Sequence, residues 1–216
     1  MNVSDILNII LRIIFPDRCA GCKKLGELFC PNCRMQLQAY PGRMRHIPPA
    51  LDDVYIGYVF GGPLRNAIHT MKYHRKRRMA EPLGNLLTEA LDASGLIADA
   101  LVPIPMHKAR LAERGFNQAA ALAGQLGMMC GLPLLDSVER IRATEQQAHL
   151  NSVQRATNVQ GAFLWRSEVP APARILIIDD VLTTGATMNA CAEALRRAGA
   201  ERVYGLALAR SRPELG

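Results

Sequence analysis

Two adjacent aspartates, Asp179 and Asp180, stand between an aliphatic run and a threonine-rich loop in the stretch RILIIDDVLTTGATMNACAEALRRAGA. An ionised carboxylate only accepts hydrogen bonds, so its natural partners are hydroxyl groups and metal-bound waters. The loop 183–187 offers successive backbone N–H groups and threonine hydroxyls at the expected start of a helix, which suits a phosphate. The pair and the loop together predict a sugar-phosphate site. The alternative is a helix-capping loop beside solvated aspartates.

The residues around the aspartates predict a strand followed by a helix. Residues 175–178 are all aliphatic, a pattern typical of a strand buried on both faces of a parallel sheet. Residues 188–198 carry apolar side chains at helical spacing, and Gly199 suits the end of that helix. Ligands of open α/β sheets bind at the carboxyl ends of the strands, so the aspartates lie where a site is expected. The loop is not a Walker loop, because the Gly-Lys-Ser/Thr ending is absent.

Four cysteines near the start form two Cys-x-x-Cys pairs in the stretch CAGCKKLGELFCPNC: Cys19, Cys22, Cys30 and Cys33. Each pair places two sulfurs on one side of a tight turn, which fits a four-thiolate Zn²⁺ site. Disulfides are disfavoured without a secretion signal, and a thioredoxin-like redox pair would not need the second Cys-x-x-Cys. Because four protein ligands complete a tetrahedron, the single predicted zinc is structural. Cys130 and Cys191 lie in helical patterns and are predicted to be small buried apolar residues.

Strand and helix patterns alternate after a Pro- and Gly-rich stretch, YPGRMRHIPPA, that is interpreted as a linker. The predicted strands are 54–60, 100–105, 161–165, 174–178 and 202–209, and the predicted helices are 64–69, 79–93, 116–130 and 188–198. Such alternation favours an α/β fold with a mostly parallel sheet flanked by helices. We therefore expect an N-terminal helix and zinc module over residues 1–45 and an α/β domain over residues 46–216.

The composition is that of a soluble globular protein with a basic surface. Apolar residues make up 49% and charged residues 21% of the chain, and the net charge is +7. An anionic partner is therefore plausible. The most basic run, MKYHRKRR, spans residues 71–78 and interleaves a tyrosine. Its residues form either a solvated face or an electrostatic track for a nucleic-acid backbone.

The first fifteen residues, MNVSDILNIILRIIF, combine a broad apolar face with one polar face. We expect a helix that docks on the protein, with peripheral membrane contact as the alternative. The apolar run is too short to cross a bilayer and lacks the basic start and cleavage site of a signal peptide. The expected location is cytoplasmic, with peripheral contact at the inner face of the membrane as the alternative.

The stretch ILIIDDVLTTGAT resembles the phosphoribosyl pyrophosphate (PRPP) signature of the type I phosphoribosyltransferases. Together with the cysteine pairs and the stretch LVPIPMHKARLAERGFNQA, it makes nearly the whole chain resemble the ComF family of competence-associated phosphoribosyltransferase-like proteins. The resemblance implies a type I phosphoribosyltransferase fold behind a small N-terminal Cys₄ zinc ribbon.

The resemblance also implies roles for individual residues. Asp179 and Asp180 would contact the ribose hydroxyls. The 5′-phosphate and its surroundings would be held by Val181, Leu182, Thr183, Thr184, Gly185, Ala186 and Thr187. Pyrophosphate contacts would come from His107 and Lys108, followed by Arg110, Arg114 and Asn117, whose other interpretation is a solvated helix start. A mobile catalytic loop would contribute Arg142, Thr144, Gln147 and Arg155, with Asn158 as a further candidate.

Two functions follow from the resemblance. The first is a phosphoribosyltransferase-type protein that binds PRPP or a related phosphoribosyl compound with Mg²⁺, in DNA uptake, competence or nucleotide metabolism. The second is a non-catalytic protein that uses the fold to handle single-stranded DNA. The resemblance also implies proteins of the competence machinery as partners.

Overall fold

The computed structural model describes residues 16–41, 43–44, 46–73, 76–142, 159 and 161–211. At its centre is a four-stranded, all-parallel sheet in the order β1-β6-β5-β2. Its strands are β1 (Asp53–Val59), β2 (Ala100–Pro103), β5 (Arg174–Leu182) and β6 (Arg202–Arg210). A separate antiparallel pair consists of β3 (Val138–Arg140) and β4 (Phe163–Trp165).

Among the described residues, a short helix precedes the sheet and longer helices connect its strands. They are α1 (Pro31–Met35), α2 (Gly62–Tyr73), α3 (Ala80–Ser94), α4 (Lys108–Arg114), α5 (Gln118–Cys130) and α6 (Ala186–Arg197), with a 3₁₀ turn at Arg77–Met79. Asn117 begins α5: its side-chain oxygen accepts from the N–H groups of Ala119 and Ala120. Its amide nitrogen donates to the carbonyl of Ile104 at 2.9 Å, which ties this helix to the end of β2.

Strand β5 is buried on both faces, as the aliphatic run predicts. Leu176 and Ile178 pack in the core formed with α2, α3 and α5, whereas Ile175 and Ile177 pack in the core that contains α6. Successive side chains of a strand point to opposite faces, so this run contributes to both cores. Each fully buried aliphatic side chain stabilises the fold by about 1.5–3 kcal/mol relative to an exposed one.

Strand β5 continues four residues past its predicted end at residue 178. Its register with β2 stops at the pair Pro103–Ile178, but its register with β6 runs on to the pair Leu182–Arg210. The predicted strand stopped at the first charged side chain, while the backbone pairing with β6 carries the strand through Asp179. Beyond β2, one side of β5 therefore has no neighbouring strand within the described residues.

The segment predicted to be a linker runs beside the sheet edge. The N–H of Tyr40 donates to the carbonyl of Gly57 at 3.0 Å, and the N–H of Met44 donates to that of Val54 at 3.2 Å. These bonds place part of the segment antiparallel to β1. The predicted division into residues 1–45 and 46–216 stays a prediction.

The four cysteine sulfurs of the N-terminal pairs lie within 4.8 Å of one another. The Cys19–Cys33 and Cys22–Cys30 sulfur pairs are each 3.6 Å apart. A tetrahedral zinc site with Zn–S bonds of about 2.3 Å requires sulfurs roughly 3.8 Å apart, whereas a disulfide bond is about 2.05 Å long. The cluster can therefore hold a zinc ion.

The cysteine cluster packs directly against α2. Cys19, Cys30 and Cys33 share a core with the buried face of that helix. A Cβ at Gly21 would lie 2.5 Å from the sulfur of Cys33 and 3.0 Å from Pro63, next to the start of the helix. Of the two remaining cysteines, Cys191 is buried as predicted. The prediction is wrong for Cys130, which is only partly buried because it lies at the end of α5.

Among the residues that the structure describes, no helix has the length and apolarity needed to cross a membrane. The predicted docking helix at residues 1–15 lies outside the described residues.

The first prediction concerns the metal. We expect the purified protein to contain about one zinc per chain, the stoichiometry of one Cys₄ site. Cys22→Ser should lower the zinc content and the thermal unfolding midpoint, because binding of structural zinc contributes on the order of 10 kcal/mol to the folding of small modules. Elemental analysis and thermal unfolding would measure both effects.

Cys130→Ser is the matched control, since Cys130 lies outside the cluster. It should leave the zinc content unchanged. A stable wild-type protein without zinc would refute the assignment.

Candidate functional site

A cavity of about 220 Å³ opens where β2 ends and β5 continues. Asp179, Asp180 and Val181 line its strand wall. Residues 104–106, residues of α4 and the start of α5 also line the cavity. This is the carboxyl end of parallel strands, where α/β proteins bind ligands.

The two aspartates differ in their partners. Asp179 is partly buried, and its Oδ1 accepts a hydrogen bond from the backbone N–H of Asp180 at 2.8 Å. Asp180 is buried, and its Oδ2 lies 2.7 Å from the Nζ of Lys72 in an ion pair without hydrogen-bond geometry. Burial and the adjacent charge of Asp180 raise the pKa of Asp179 well above its usual value.

Among the described residues that line the cavity, cationic side chains outnumber the carboxylates. Lys72, Arg110, Arg114 and Arg140 line it together with the two aspartates. Burial, followed by the nearby charge of Arg110, lowers the pKa of Arg140, while Asp179 opposes that shift. An anion in the cavity would relieve the repulsion among the cations, so the electrostatics favour a phosphorylated ligand.

The threonine loop turns sharply before α6. Gly185 adopts φ +83°, and a Cβ there would lie 2.8 Å from the Cγ of Pro48. The hydroxyl of Thr184 accepts from the N–H of Ala186 at 3.4 Å, and the side chain of Thr187 lines the cavity. The loop thus combines a positive φ, which favours glycine, with a helix N-terminus.

The structure brings only some of the predicted residues to the cavity. Its lining includes Asp179, Asp180, Val181, Thr187, Arg110, Arg114 and Asn117. Predicted residues that do not line it are Leu182, Thr183, Thr184, Gly185, Ala186 and Arg142. Leu182 is buried in the core that contains α6. The predicted loop residues Thr144, Gln147, Arg155 and Asn158 lie outside the described residues.

His107 and Lys108 do not line the cavity. The Nδ1 of His107 accepts from the N–H of Ala109 at 3.3 Å and so caps α4. The ammonium group of Lys108 lies 3.1 Å from Glu139 on a side chain that is 82% exposed. Their predicted contact with pyrophosphate would require these side chains to turn toward the cavity.

Sequence reasoning did not assign site roles to Lys72, Gln118 or Arg140, although all three line the cavity. Lys72 belongs to the basic run that was interpreted only as a face or a nucleic-acid track. Arg140 stands two residues before the predicted loop residue Arg142, so its position could have suggested it. Nothing in the sequence pattern distinguishes Gln118 from other residues of a helix start.

The parallel sheet, the helices on its faces and the acidic pair at the end of β5 define a domain of the phosphoribosyltransferase type. Residues 109–214 match the phosphoribosyl transferase domain family. The predicted fold class, with its N-terminal four-cysteine module, is confirmed.

Relatives that match nearly the full length of this chain identify its family more closely than the domain match does. The chain is 31% identical over 207 residues to Competence protein F of Haemophilus influenzae, with 89% of this chain and 90% of that protein covered. It is 33% identical over 204 residues to DNA utilization protein YhgH of Escherichia coli, with 89% and 88% covered. It is 36% identical over 206 residues to Competence protein ComFC of Streptococcus pneumoniae, with 89% and 87% covered. The chain belongs to the ComF family.

The second prediction follows from the raised pKa of Asp179. The unfolded chain loses this proton near pH 4, whereas the folded protein retains it to a higher pH. Between the unfolded and the folded pKa of Asp179, folding must therefore take up a proton. The free energy of unfolding declines as the pH rises toward the folded pKa. Asp179→Asn removes this penalty, so we expect it to stabilise the protein at pH 8 by at least about 1 kcal/mol, the equivalent of one pKa unit.

Urea unfolding of wild type and variant at pH 4, 6 and 8 would measure the effect. The gain should be absent at pH 4 and should grow with pH. Asp136→Asn, at an exposed aspartate, is the control and should show no such trend. A gain in Asp179→Asn that is the same at all three pH values would contradict the explanation.

Proposed function

We propose that this protein binds PRPP or a related phosphoribosyl compound in the cavity beside Asp179 and Asp180. The observation that carries the proposal is the combination of two carboxylates and four cationic side chains around one cavity at the carboxyl end of β5. Carboxylates accept hydrogen bonds from sugar hydroxyls, while the cations attract phosphate groups. A sugar that carries phosphates satisfies both sets.

In this proposal the two ends of the ligand contact different elements. The ribose hydroxyls face Asp179 and Asp180, and the 5′-phosphate lies against the loop before α6, near Thr187. Arg110 and Arg114, which also line the cavity, would bind the pyrophosphate. The guanidinium carbon of Arg140, which lines the cavity, lies 5.6 Å from the centre of the Phe163 ring.

The residues present fit a magnesium ion bound with the ligand. Mg²⁺ prefers oxygen donors and is commonly held by one or two carboxylates together with substrate phosphates. Asp179 and Asp180 both line the cavity. Burial and the charge of Asp180 raise the pKa of Asp179, so a cation bound beside it would favour its ionised form. When bound, Mg²⁺ would neutralise charge on the pyrophosphate.

As an enzyme, the protein would transfer the phosphoribosyl group. The bond between the anomeric carbon and the pyrophosphate oxygen breaks, pyrophosphate departs with the electron pair, and a nucleophile bonds to that carbon. Positive charge develops on the sugar in the transition state, as in glycoside cleavage. The charge of Asp180 stabilises that positive charge and the two aspartates fix the sugar, while the arginines hold the departing anion.

We further propose that this chemistry or binding serves DNA uptake or utilization. The support comes from three relatives, which are named as two competence proteins and a DNA utilization protein. Proteins of the competence machinery would then be its partners.

The third prediction separates sugar recognition from phosphate recognition. Asp180→Asn keeps the shape of the side chain but removes a charge, so it should weaken Mg²⁺–PRPP binding about tenfold or more while inorganic phosphate binding changes little. Gly185→Ala forces a Cβ toward Pro48 at a positive φ and should weaken both ligands. Calorimetric titration of both variants with PRPP and with phosphate makes the comparison.

Gly26→Ala is the control for the positive φ alone, because a Cβ there would meet nothing within 4 Å. It should bind both ligands as the wild type does. Equal losses for both ligands in Asp180→Asn would mean that the aspartate supports the loop and does not contact the sugar. Unchanged PRPP binding in both Asp180→Asn and Gly185→Ala would place the ligand elsewhere.

A second candidate function is the handling of single-stranded DNA without turnover. Lys76, Arg77 and Arg78 are exposed next to α2, so they could contact a phosphate backbone. Arg78 already pairs with Asp17 at 2.9 Å, which reduces its availability. Release of pyrophosphate from PRPP would distinguish an enzyme from a protein that only binds.

The fourth prediction tests this basic run. Joint replacement of Arg75, Lys76, Arg77 and Arg78 by alanine should weaken binding to single-stranded DNA and flatten its dependence on salt. Each phosphate that the variant no longer neutralises lowers the slope of log K against log salt by about 0.7. Fluorescence anisotropy at several salt concentrations would measure the slope.

The control variant replaces four exposed cations elsewhere by alanine: Lys23, Lys24, Arg166 and Arg197. It should change the slope less than the variant of the basic run. If neither the affinity nor the slope responds to the first variant, the run is only a solvated face.

A further inference from the structure

A second cavity, of about 800 Å³, lies beside α5. It is lined by the 3₁₀ turn before α3, the start of α3, one face of α5 and two residues that follow α5, and we call it the α5 groove. Its lining residues from α5 include Ala120, Gly124 and Met128, which stand four positions apart on one helix face. This face lines the groove over about 12 Å. Neither Asp179 nor Asp180 lines it.

The α5 groove exposes apolar surface. Met128 is 76% exposed and Leu134 is 42% exposed, and both line the groove. A Cβ added at Gly124 would meet nothing within 4 Å among the described residues. Contiguous exposed apolar surface on a soluble protein marks a site of interaction. An apolar segment therefore has the chemistry that fits the groove.

The chain enters the described structure beside this groove. The carboxylate of Asp17 accepts two hydrogen bonds from the guanidinium of Arg78, at 2.9 Å and 3.2 Å. The neighbouring residues Arg77 and Ala80 line the groove. The carbonyl of Asp17 also accepts from the N–H of Gly26 at 2.8 Å, which fixes Asp17 to the cysteine module. Residues 1–15 are thus attached next to the part of the groove that the start of α3 lines.

The sequence of residues 1–15 suits the α5 groove in length and in charge. Eight of the ten residues 6–15 are apolar. As the helix that the sequence predicts, these ten would extend about 15 Å, comparable with the exposed face of α5. The charged residues that line the groove in the described part of the chain are Arg77 and Glu81, one of each sign. The segment likewise carries one acid and one base, Asp5 and Arg12.

We propose that residues 1–15 bind in the α5 groove of their own chain, with their apolar face on Gly124 and Met128. Because the segment is attached beside the groove, its effective concentration there is on the order of millimolar, which favours this contact over a membrane or a second chain. Asn117 lines both the groove and the cavity beside the aspartates. A bound segment would therefore also support the start of α5, which forms part of the candidate site.

Gly124→Leu tests the proposal, because it fills the groove without a clash among the described residues. In an empty groove, leucine would only improve the helix propensity of α5 and raise the thermal unfolding midpoint. If residues 1–15 occupy the groove, leucine must displace them. We then expect amide hydrogen exchange of residues 6–15 to be slow in the full-length wild type and to become about tenfold or more faster in Gly124→Leu.

Gly61→Leu is the matched control, since a Cβ there also meets nothing within 4 Å among the described residues and Gly61 has no positive φ. It should leave the exchange of residues 6–15 unchanged. A photoreactive benzoylphenylalanine in place of Met128 should cross-link to residues 1–15 within one chain. The same group in place of Ile97, which is 65% exposed and does not line the groove, should not.

The other occupants give different results. Protection of residues 6–15 that rises with protein concentration, or cross-links that join two chains, would mean that a second copy fills the groove and would overturn the proposal. Protection that requires phosphatidylglycerol vesicles would overturn it in favour of a membrane contact. Unchanged protection in Gly124→Leu, or none in the wild type, would overturn it as well.

Discussion

The unequal lengths of β2 and β5 determine where this molecule can bind a ligand. Strand β5 stays paired with β6 as far as Leu182, while β2 stops opposite Ile178. The next two residues of β5 are Asp179 and Asp180, so a rigid strand presents both carboxylates beside a gap. A flexible loop would lose entropy on fixing such a pair, whereas a strand holds it in place before the ligand arrives.

Charge balance at this gap explains why the site can be stable without a ligand and still favour one. Asp180 and Lys72 are 10% and 19% exposed, and the loss of one partner from a buried pair typically costs about 3–5 kcal/mol. The raised pKa of Asp179 favours its neutral form, so the site does not hold a second buried carboxylate charge. Four cations and two carboxylates line the cavity within the described residues. An entering polyphosphate would therefore improve the charge balance, and a divalent cation with it would favour the ionised form of both aspartates.

Much of this arrangement could be predicted from the sequence, because its signals are local. Three of these signals are the aliphatic run 175–178, the acidic pair and the cysteine spacing. Each predicts the structure or the chemistry of one short stretch of the chain. The contribution of Lys72 could not be predicted in this way, since it depends on α2 packing in the same core as Leu176 and Ile178 of β5. Strand β3 was missed because it has only three residues, two of them charged, and exists through pairing with β4.

Helix geometry explains which predicted site residues in the stretch after β2 line the cavity. Arg110, Arg114 and Asn117 reach the cavity, while His107 and Lys108 do not. A helix repeats every 3.6 residues, so Arg110 and Arg114, four positions apart, project to one face of α4. His107 precedes this helix and is engaged in capping it. The sequence predicted site residues in this stretch, and their spacing along α4 determines which of its cations line the cavity.

Helix α2 connects the cysteine module to the site. Its buried residues, including Leu64, Ile68 and Met71, share a core with three of the four cysteines. Its last turn carries Lys72 and Tyr73, which lie at the cavity and at its rim. A metal that fixes the cysteine module thus stabilises the surface on which α2 rests, although none of the four cysteines lines the cavity. Loss of that support would loosen the helix that neutralises Asp180, and a structural zinc would in this way influence the charge of the site without touching the ligand.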